Sequence, residues 1–514
     1  MSNKDKNLLT AVLEKENEKL FSDVKCEFPL DKDVIGLLSK LNDNLPDESD
    51  DYEIFRFKDQ TDHLWSLLLE KAIKCLRYYD TREPFIEHDE KKSPKAYGIK
   101  DLKSYYDKYS KFEQVLYGSS KFYRDHVIHV FRTWLTGIVT LTKNEGEYLR
   151  HIAIIEKDYH GEINNAEKVS IWTVIALSHD LGYPLEKAKG IIDVTQEMVA
   201  TFISNPEISK DFSFHGVQNY MNDFVVRLMS SKMKPYDNNS GESCYVARLQ
   251  PKYYFKFQKS LEKNSHGILS TLIIYKLLTY FLESDYNINE DYTFAKEDCR
   301  QFYIRREILR SIAAHTCDDV YQLYMDSFAF LLRICDDTQE WGRKNISELY
   351  VNSNQSYRLT DIEMIFSEDE KPNKCIIKEE MKLNDGALHD TILQLIERFR
   401  RQAIIYITIF RDGQDTKNRN FSFERLLEIT SDNEVTIKLC LKIDKDEASK
   451  LLVETIYKTS TGKTNEKYGY NFFKSYEYAD DKSFVLMDDS SQIDVNSSKS
   501  TSWKSLDFSI KLFN

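Results

Sequence analysis

The sequence predicts an α+β protein in which a large all-helical region is followed by a smaller domain of strands and helices. Three observations point there. Apolar residues recur at helical spacing from the N-terminus to about residue 343. Glycine and proline are scarce, 16 and 9 in 514 residues, as suits long helices. After Asn345 the pattern changes to short β-branched and aromatic runs.

Within the helical region, Leu8, Leu9, Val12 and Leu13 open with 3.6-residue periodicity, and Leu64 to Leu69, Ala72 and Leu76 continue it. Residues 87–110, rich in Lys and Tyr, read as a loop with short helices. Residues 124–142 read as an amphipathic helix and 169–177 as another. Residues 265–282 are mostly apolar and read as a central buried helix, and 306–315 and 321–335 complete the set. Beyond it, 357–366 and 374–383 read as strands, 388–402 as a helix, 404–410, 421–429 and 435–443 as strands, and 448–457 as a last helix. The composition turns polar past Thr459, and 490–502 reads as a mobile tail. The expected division is 1–120, 121–345, 346–460 and a polar, partly mobile 461–514. There is no internal repeat.

The bulk numbers narrow the function classes. Hydrophobic residues at 41% and charged residues at 30% describe an ordinary globular chain with a large core. A net charge of −13 argues against a general nucleic-acid coat, although a local basic pocket is compatible with it. The eight cysteines are dispersed without a CxxC pair, and no signal peptide is evident, so reduced thiols and a cytoplasmic location are expected. No apolar run is long enough to span a bilayer, and no membrane partner is expected.

Chemistry concentrates in a few imidazoles and carboxylates. His179-Asp180 ends the apolar run 170–178, and Gly182 and Pro184 end the helix at the pair. His126 lies upstream, three residues before His129, so that both would share a helix face. Asn264-Ser265-His266-Gly267 sets His266 at a capped helix start. His315 follows small residues, and Asp336 ends an apolar stretch where a buried carboxylate would need a cation. Neutral imidazoles suit divalent ions and a carboxylate can bridge two of them.

In this order the residues resemble the signature of the HD-domain metal-dependent phosphohydrolases. His126, His179-Asp180 and Asp336 match the core, and His266 and His315 match the additional pair found in many members. The similarity covers residues 122–343 and includes Arg124-Asp125-His126, the string from Ser178 to Pro184, Ser265-His266-Gly267, and Asp336 followed by Gln339 to Arg343. The stretch between His126 and His179 is longer than in the family, implying an insertion around 142–165. Tyr183 stands where members that cleave cyclic dinucleotides carry a Lys, so Lys187 or Lys189 would have to substitute.

The resemblance implies hydrolysis of a phosphoester or phosphoanhydride of a nucleotide or cyclic nucleotide. One or two divalent ions (Mn, Fe, Ni, Co, Zn or Mg) would acidify a water and stabilise phosphoryl charge. Asp180 would bridge the ions, His126, His179 and Asp336 would complete the first position, and His266 and His315 would serve the second. His129 and Glu186 are candidates for the general acid, while Arg124, Lys187, Arg343 and Tyr183 are candidates for substrate contact. His129 could instead be an outer relay, a substrate contact or a core residue, and Asp337 could exchange roles with Asp336. His215-Gly216 imitates His266-Gly267 and ranks second as the ligand. His389-Asp390 reads as coincidence. His63, His88, His151 and His160 read as surface or ordinary core residues, and Arg398, Arg400 and Arg401 as a solvated helix face. The rival readings are a metal-dependent single-stranded nuclease, with nucleic acid the less favoured partner, and a non-catalytic metal or nucleotide sensor or scaffold. The pattern leaves room for a homo-oligomer.

Overall fold

The computed structural model describes residues 3–45, 53–80, 82, 94–119, 124–154, 162–201, 217–237, 243–283, 293–317, 324–341, 343, 356–367, 372–383, 395, 398–399, 402, 406, 422–431, 436–444, 450–459, 462–471, 473–478, 484–488, 491–494 and 500–502. The described helices, in chain order, are α1 (Asn3–Val12), α2 (Lys15–Leu20), α3 (Lys32–Asp43), α4 (Glu53–Tyr78), α5 (Ile99–Ser119), α6 (Val127–His151), α7 (Asn165–Ser178), α8 (Tyr183–Ala200), α9 (Val217–Ser230), α10 (Pro251–Glu262), α11 (His266–Leu277), α12 (Thr279–Leu282), α13 (Lys296–Ala314) and α14 (Phe328–Thr338). The described strands are β1 (Ser231–Asp237), β2 (Ser243–Leu249), β3 (Thr293–Phe294), β4 (Ser356–Phe366), β5 (Pro372–Leu383), β6 (Ser422–Ser431), β7 (Thr436–Asp444), β8 (Lys450–Thr459), β9 (Gly462–Asn471), β10 (Phe473–Tyr478), β11 (Phe484–Asp488), β12 (Ser491–Asp494) and β13 (Ser500–Ser502). The class is α+β, as expected. The chain divides into two compact units, one holding the helices to α14 and the other holding β4 to β13. No described helix is long and apolar enough to cross a membrane.

In the helical unit, α7 is buried along its whole length, so it is apolar on every side instead of amphipathic. A capping box starts it: Asn164 accepts from Glu167 N, and Glu167 reaches back to Asn164 N. Around α7 pack α4, α6 and α13. Trp65 of α4 donates to the Leu177 carbonyl at 2.8 Å, beside the end of the helix where His179 stands. Trp172 donates to the Trp134 carbonyl of α6 at 3.1 Å.

Several expectations change here. Residues 99–119 form one long helix where a loop with short helices was expected. The helix expected over 265–282 is two helices, because Leu278 adopts an extended conformation between them. Within the expected insertion, α6 runs to His151 through a kink at Asn144, Glu145 and Gly146, all at positive φ. Between Ser230 and Phe294 the helical unit also contains a three-stranded sheet that the sequence reading did not anticipate.

The second unit is built on an eight-stranded sheet in the order β13-β12-β9-β8-β7-β6-β5-β4. All its neighbours are antiparallel except β5 and β6. A parallel pair needs a crossover, and Leu395, Arg398, Phe399, Gln402 and Tyr406, between the two strands, are helical. The rest of the helix expected over 388–402 lies outside the described residues. Tyr406 is helical where a strand over 404–410 was expected. The helix expected over 448–457 is, from Lys450, strand β8, paired with β7 and β9, because ladder pairing outweighs the helix propensity of its Leu, Glu and Lys. Residues expected to form a polar tail contribute β9 to β13. Buried Arg425 donates to both oxygens of Glu379 at 2.7 Å and packs over Phe399. Arg398 pairs with Glu340, so it is not a solvated face; Arg400 and Arg401 lie outside the described residues.

Candidate metal centre

Helix ends converge on one point of the helical unit. His179 is the C-cap of α7 and His315 the C-cap of α13; His266 is the first residue of α11, and Asp336 lies in the last turn of α14. Ends suit this role because the chain there leaves the helix and can turn side chains inward without breaking its hydrogen bonds. Asp180 is buried at the centre.

The two oxygens of Asp180 face different groups. Oδ2 lies 3.6 Å from His179 Nε2 and 3.8 Å from His129 Nε2. Asp336 Oδ1 closes that group, 3.0 Å from His129 Nε2 and 3.8 Å from His179 Nε2. Oδ1 of Asp180 lies 3.3 Å from His266 Nε2 and 3.6 Å from His315 Nε2. The ligand atoms of His129, His179 and Asp336 lie within 4.8 Å of one another, and so do those of His179, Asp180 and His315.

Hydrogen bonds at the far side of each ring fix the tautomer. His179 Nδ1 donates to the Ala176 carbonyl at 2.8 Å, and His315 Nδ1 donates to the Ile312 carbonyl. His129 Nδ1 donates to Gln339 Oε1. His266 Nδ1 donates to Glu186 Oε2 at 2.7 Å, and the His266 backbone N–H donates to the same oxygen at 2.8 Å. Each Nε2 is thereby turned into the cluster, the arrangement that orients imidazoles toward a metal. The Nε2 atoms of His179 and His315 are buried and make no hydrogen bond, which is costly unless something else satisfies them. Two carboxylates and four imidazoles with Nε2 turned inward, two of those nitrogens orphaned, fit a divalent ion, with Asp180 placed to bridge two.

The electrostatics divide the donor set: burial opposes charge on His179, but Asp180, Asp336 and the Ala176 carbonyl raise it above the usual imidazole range. Burial would raise Asp180 and Asp336, but the surrounding imidazoles hold both carboxyls well below the usual range. Burial lowers His129 and His315, which keeps them neutral; it takes His126 down to about 3, helped by Arg343. Burial also opposes charge on His266, yet its hydrogen bonds to Asp180 and Glu186 prevail and push it up to about 9.

His129, not His126, is the first histidine of the ligand group. His126 is the N-cap of α6, at φ −114°, so it lies outside the helix and the shared-face expectation fails. Its Nδ1 instead meets Asp180 Oδ2 at 2.8 Å, its ring stacks on Tyr183 at 3.7 Å, and Arg343 Nη2 lies 3.3 Å away. Glu186 lies against His266. Burial opposes its ionisation, but contacts to His266 and Lys187 bring it down to about 2, so it stays ionised and positions His266. Lys187 binds Glu186 at 2.7 Å and lies over Tyr183, keeping a half-exposed ammonium near the cluster. Arg343 Nε donates to the Asp125 carbonyl at 3.0 Å, and Arg124 is half-buried just ahead of α6. Asp337 pairs with Arg333 at 2.9 Å, which leaves Asp336 as the carboxylate of the cluster. His63 is exposed and His151 half-buried. His88, His160, His215 and His389-Asp390 lie outside the described residues, as does the side chain of Lys189.

Sequence reading missed the supports. Asp125 caps α6 through the Ile128 N–H, at 3.0 Å, and Glu113 accepts from His126 N at 2.7 Å. Ser270 Oγ accepts from Gly182 N at 2.8 Å and lies 2.7 Å from the His179 carbonyl, tying α11 to the turn after the dipeptide. For Asp125 a signal existed, an acidic residue just before a helix start; for Glu113 and Ser270 there was none. Comparison of the chain with protein-family models, curated proteins and solved structures found no match.

Proposed function

We propose that this chain is a metal-dependent phosphohydrolase of the HD type, cleaving a phosphoester or phosphoanhydride of a nucleotide or cyclic nucleotide. One observation carries the reading: each oxygen of buried Asp180 faces its own set of inward-pointing imidazoles. His129, His179, Asp180 and Asp336 would hold one ion, and Asp180, His266 and His315 a second. A divalent ion held there supplies Lewis acidity and an acidified water.

The chain's own groups do the rest. Gln339, Ala176, Ile312 and Glu186 hold Nδ1 of the four ligand rings, so each ring keeps its Nε2 turned inward. Buried Arg343 beside His126 and half-exposed Lys187 over Tyr183 supply two cations, where a substrate's phosphoryl oxygens would find charge-assisted donors. Tyr183 contributes a face for a base or sugar, and burial, helped by Arg343, keeps the His126 imidazole unprotonated.

The test is metal analysis together with turnover of a panel of nucleoside phosphates, cyclic nucleotides and single-stranded oligonucleotides. The expected result is metal-dependent release from a nucleotide, abolished by Asp180→Ala. Retained turnover in that variant would sink the assignment. A metal-replete protein inert on the whole panel would point to a sensor, and activity confined to oligonucleotides to a nuclease.

A further inference from the structure

Away from the centre, Cys26 and Cys75 bring their sulfurs to 3.8 Å. Cys75 lies inside α4 and is fully buried. Cys26 sits in the connection between α2 and α3, half-buried, on the wall of a cavity of about 690 Å³ bounded by Phe21, Val24, Phe28 and Ile35. The connection is pinned to α4 just C-terminal to Cys26. Lys71 binds Asp31, and Lys74 binds Glu27 at 3.2 Å. These ion pairs hold the sulfurs as neighbours without a bond, and a disulfide length of ~2.05 Å requires them to approach by less than about 2 Å.

We propose that Cys26 and Cys75 form a thiol–disulfide site that reacts with small disulfides entering the cavity. Cys26 is the attacking sulfur, since it alone of the two lines the cavity. Its contact with Cys75 also lowers its pKa against the opposing effect of burial, whereas burial pushes Cys75 well up. The Cys26 thiolate attacks one sulfur of the reagent; the reagent's S–S bond breaks, one half leaves as a thiolate, and a mixed disulfide forms on Cys26. Cys75 then gives up its proton to the departing thiolate and attacks Cys26 Sγ, and the second half leaves as a thiol. The balance is one external disulfide reduced to two thiols, with Cys26 and Cys75 oxidised to one disulfide. The product clamps the α2–α3 connection to α4, the helix whose Trp65 holds the Leu177 carbonyl next to the ligand-bearing turn.

The test uses the full chain in buffers of graded reduced-to-oxidised glutathione ratio, quenched by alkylation and followed by peptide mapping. The expected result is a linked Cys26–Cys75 peptide, lighter by two hydrogens, with the other cysteines still alkylated. Cys75→Ser should trap glutathione on Cys26, and Cys26→Ser should leave Cys75 unmodified. The wild-type map decides the matter even if a variant folds poorly. Separate alkylation of both thiols under oxidising ratios, stable glutathione on wild-type Cys26, or linkage to a different cysteine would each overturn the proposal.

Discussion

Replacing Gly182 by alanine puts a methyl group where α11 meets the turn after His179-Asp180. An added Cβ would lie 2.3 Å from the His266 carbonyl oxygen, 2.7 Å from Leu269 Cβ and 2.9 Å from Ser270 N. Ordinary carbon contacts are about 3.5–4.0 Å, so α11 must retreat by roughly 1 Å. The backbone of Gly182 is helical, at φ −80°, so close approach and not conformation demands glycine. Overpacking of this kind costs about 1–3 kcal/mol. The retreat also loosens two hydrogen bonds, Gly182 N to Ser270 Oγ and Ser270 Oγ to the His179 carbonyl, each worth about 1 kcal/mol. Gly182→Ala should therefore lose about 3–5 kcal/mol of unfolding free energy in a denaturant titration. It should also move His266 away from Asp180 and weaken the second metal position by ~10–100-fold in calorimetry, while the first position holds. A variant within about 0.5 kcal/mol of wild type that still takes up two ions would refute the packing argument.

Other substitutions separate the roles around Asp180. His129→Ala should abolish binding at the first metal position, whereas His126→Ala should keep the metal and lose turnover; equal metal loss in both would contradict the placement of His126 as an N-cap. Glu186→Gln should lower affinity at the second position by ~10–100-fold, checked by metal titration, because His266 keeps a hydrogen-bond partner but loses the charge behind it. In the metal-free protein, His266 is raised from 6.5 to about 9. Its contribution to stability is therefore complete below pH 6.5 and fades as pH rises through 9, and Glu186→Gln should flatten that decline in denaturant titrations across the range. The same shift means that metal uptake near pH 7.5 should release a proton, read by calorimetry in buffers of different ionisation enthalpy. In the strand-rich unit, Glu379→Ala leaves buried Arg425 without its carboxylate and should cost about 3–5 kcal/mol in thermal or denaturant unfolding.

The sequence by itself determined the fold class, the change of character near residue 345, and the residue types of a candidate metal centre. Apolar periodicity reports a helix over 169–177, though its burial on every side, where an amphipathic helix was expected, came only from the packing around it. His179, Asp180, His266, His315 and Asp336 were legible as a set because imidazoles and a carboxylate at the ends of apolar segments are expensive to bury without a purpose. Tertiary structure decided which neighbour of a pair faces inward. His126 and His129 look equivalent at a spacing of three, and only the start of α6 at Val127 separates them. Asp336 and Asp337 are distinguished by Arg333, which engages Asp337 and leaves Asp336 to the cluster. The contact of Glu186 with His266 was hidden because α11, remote in sequence, brings His266 against it. The strands beyond residue 448 were equally hidden, since a strand is stabilised by the partner it pairs with, and local composition records propensity without pairing.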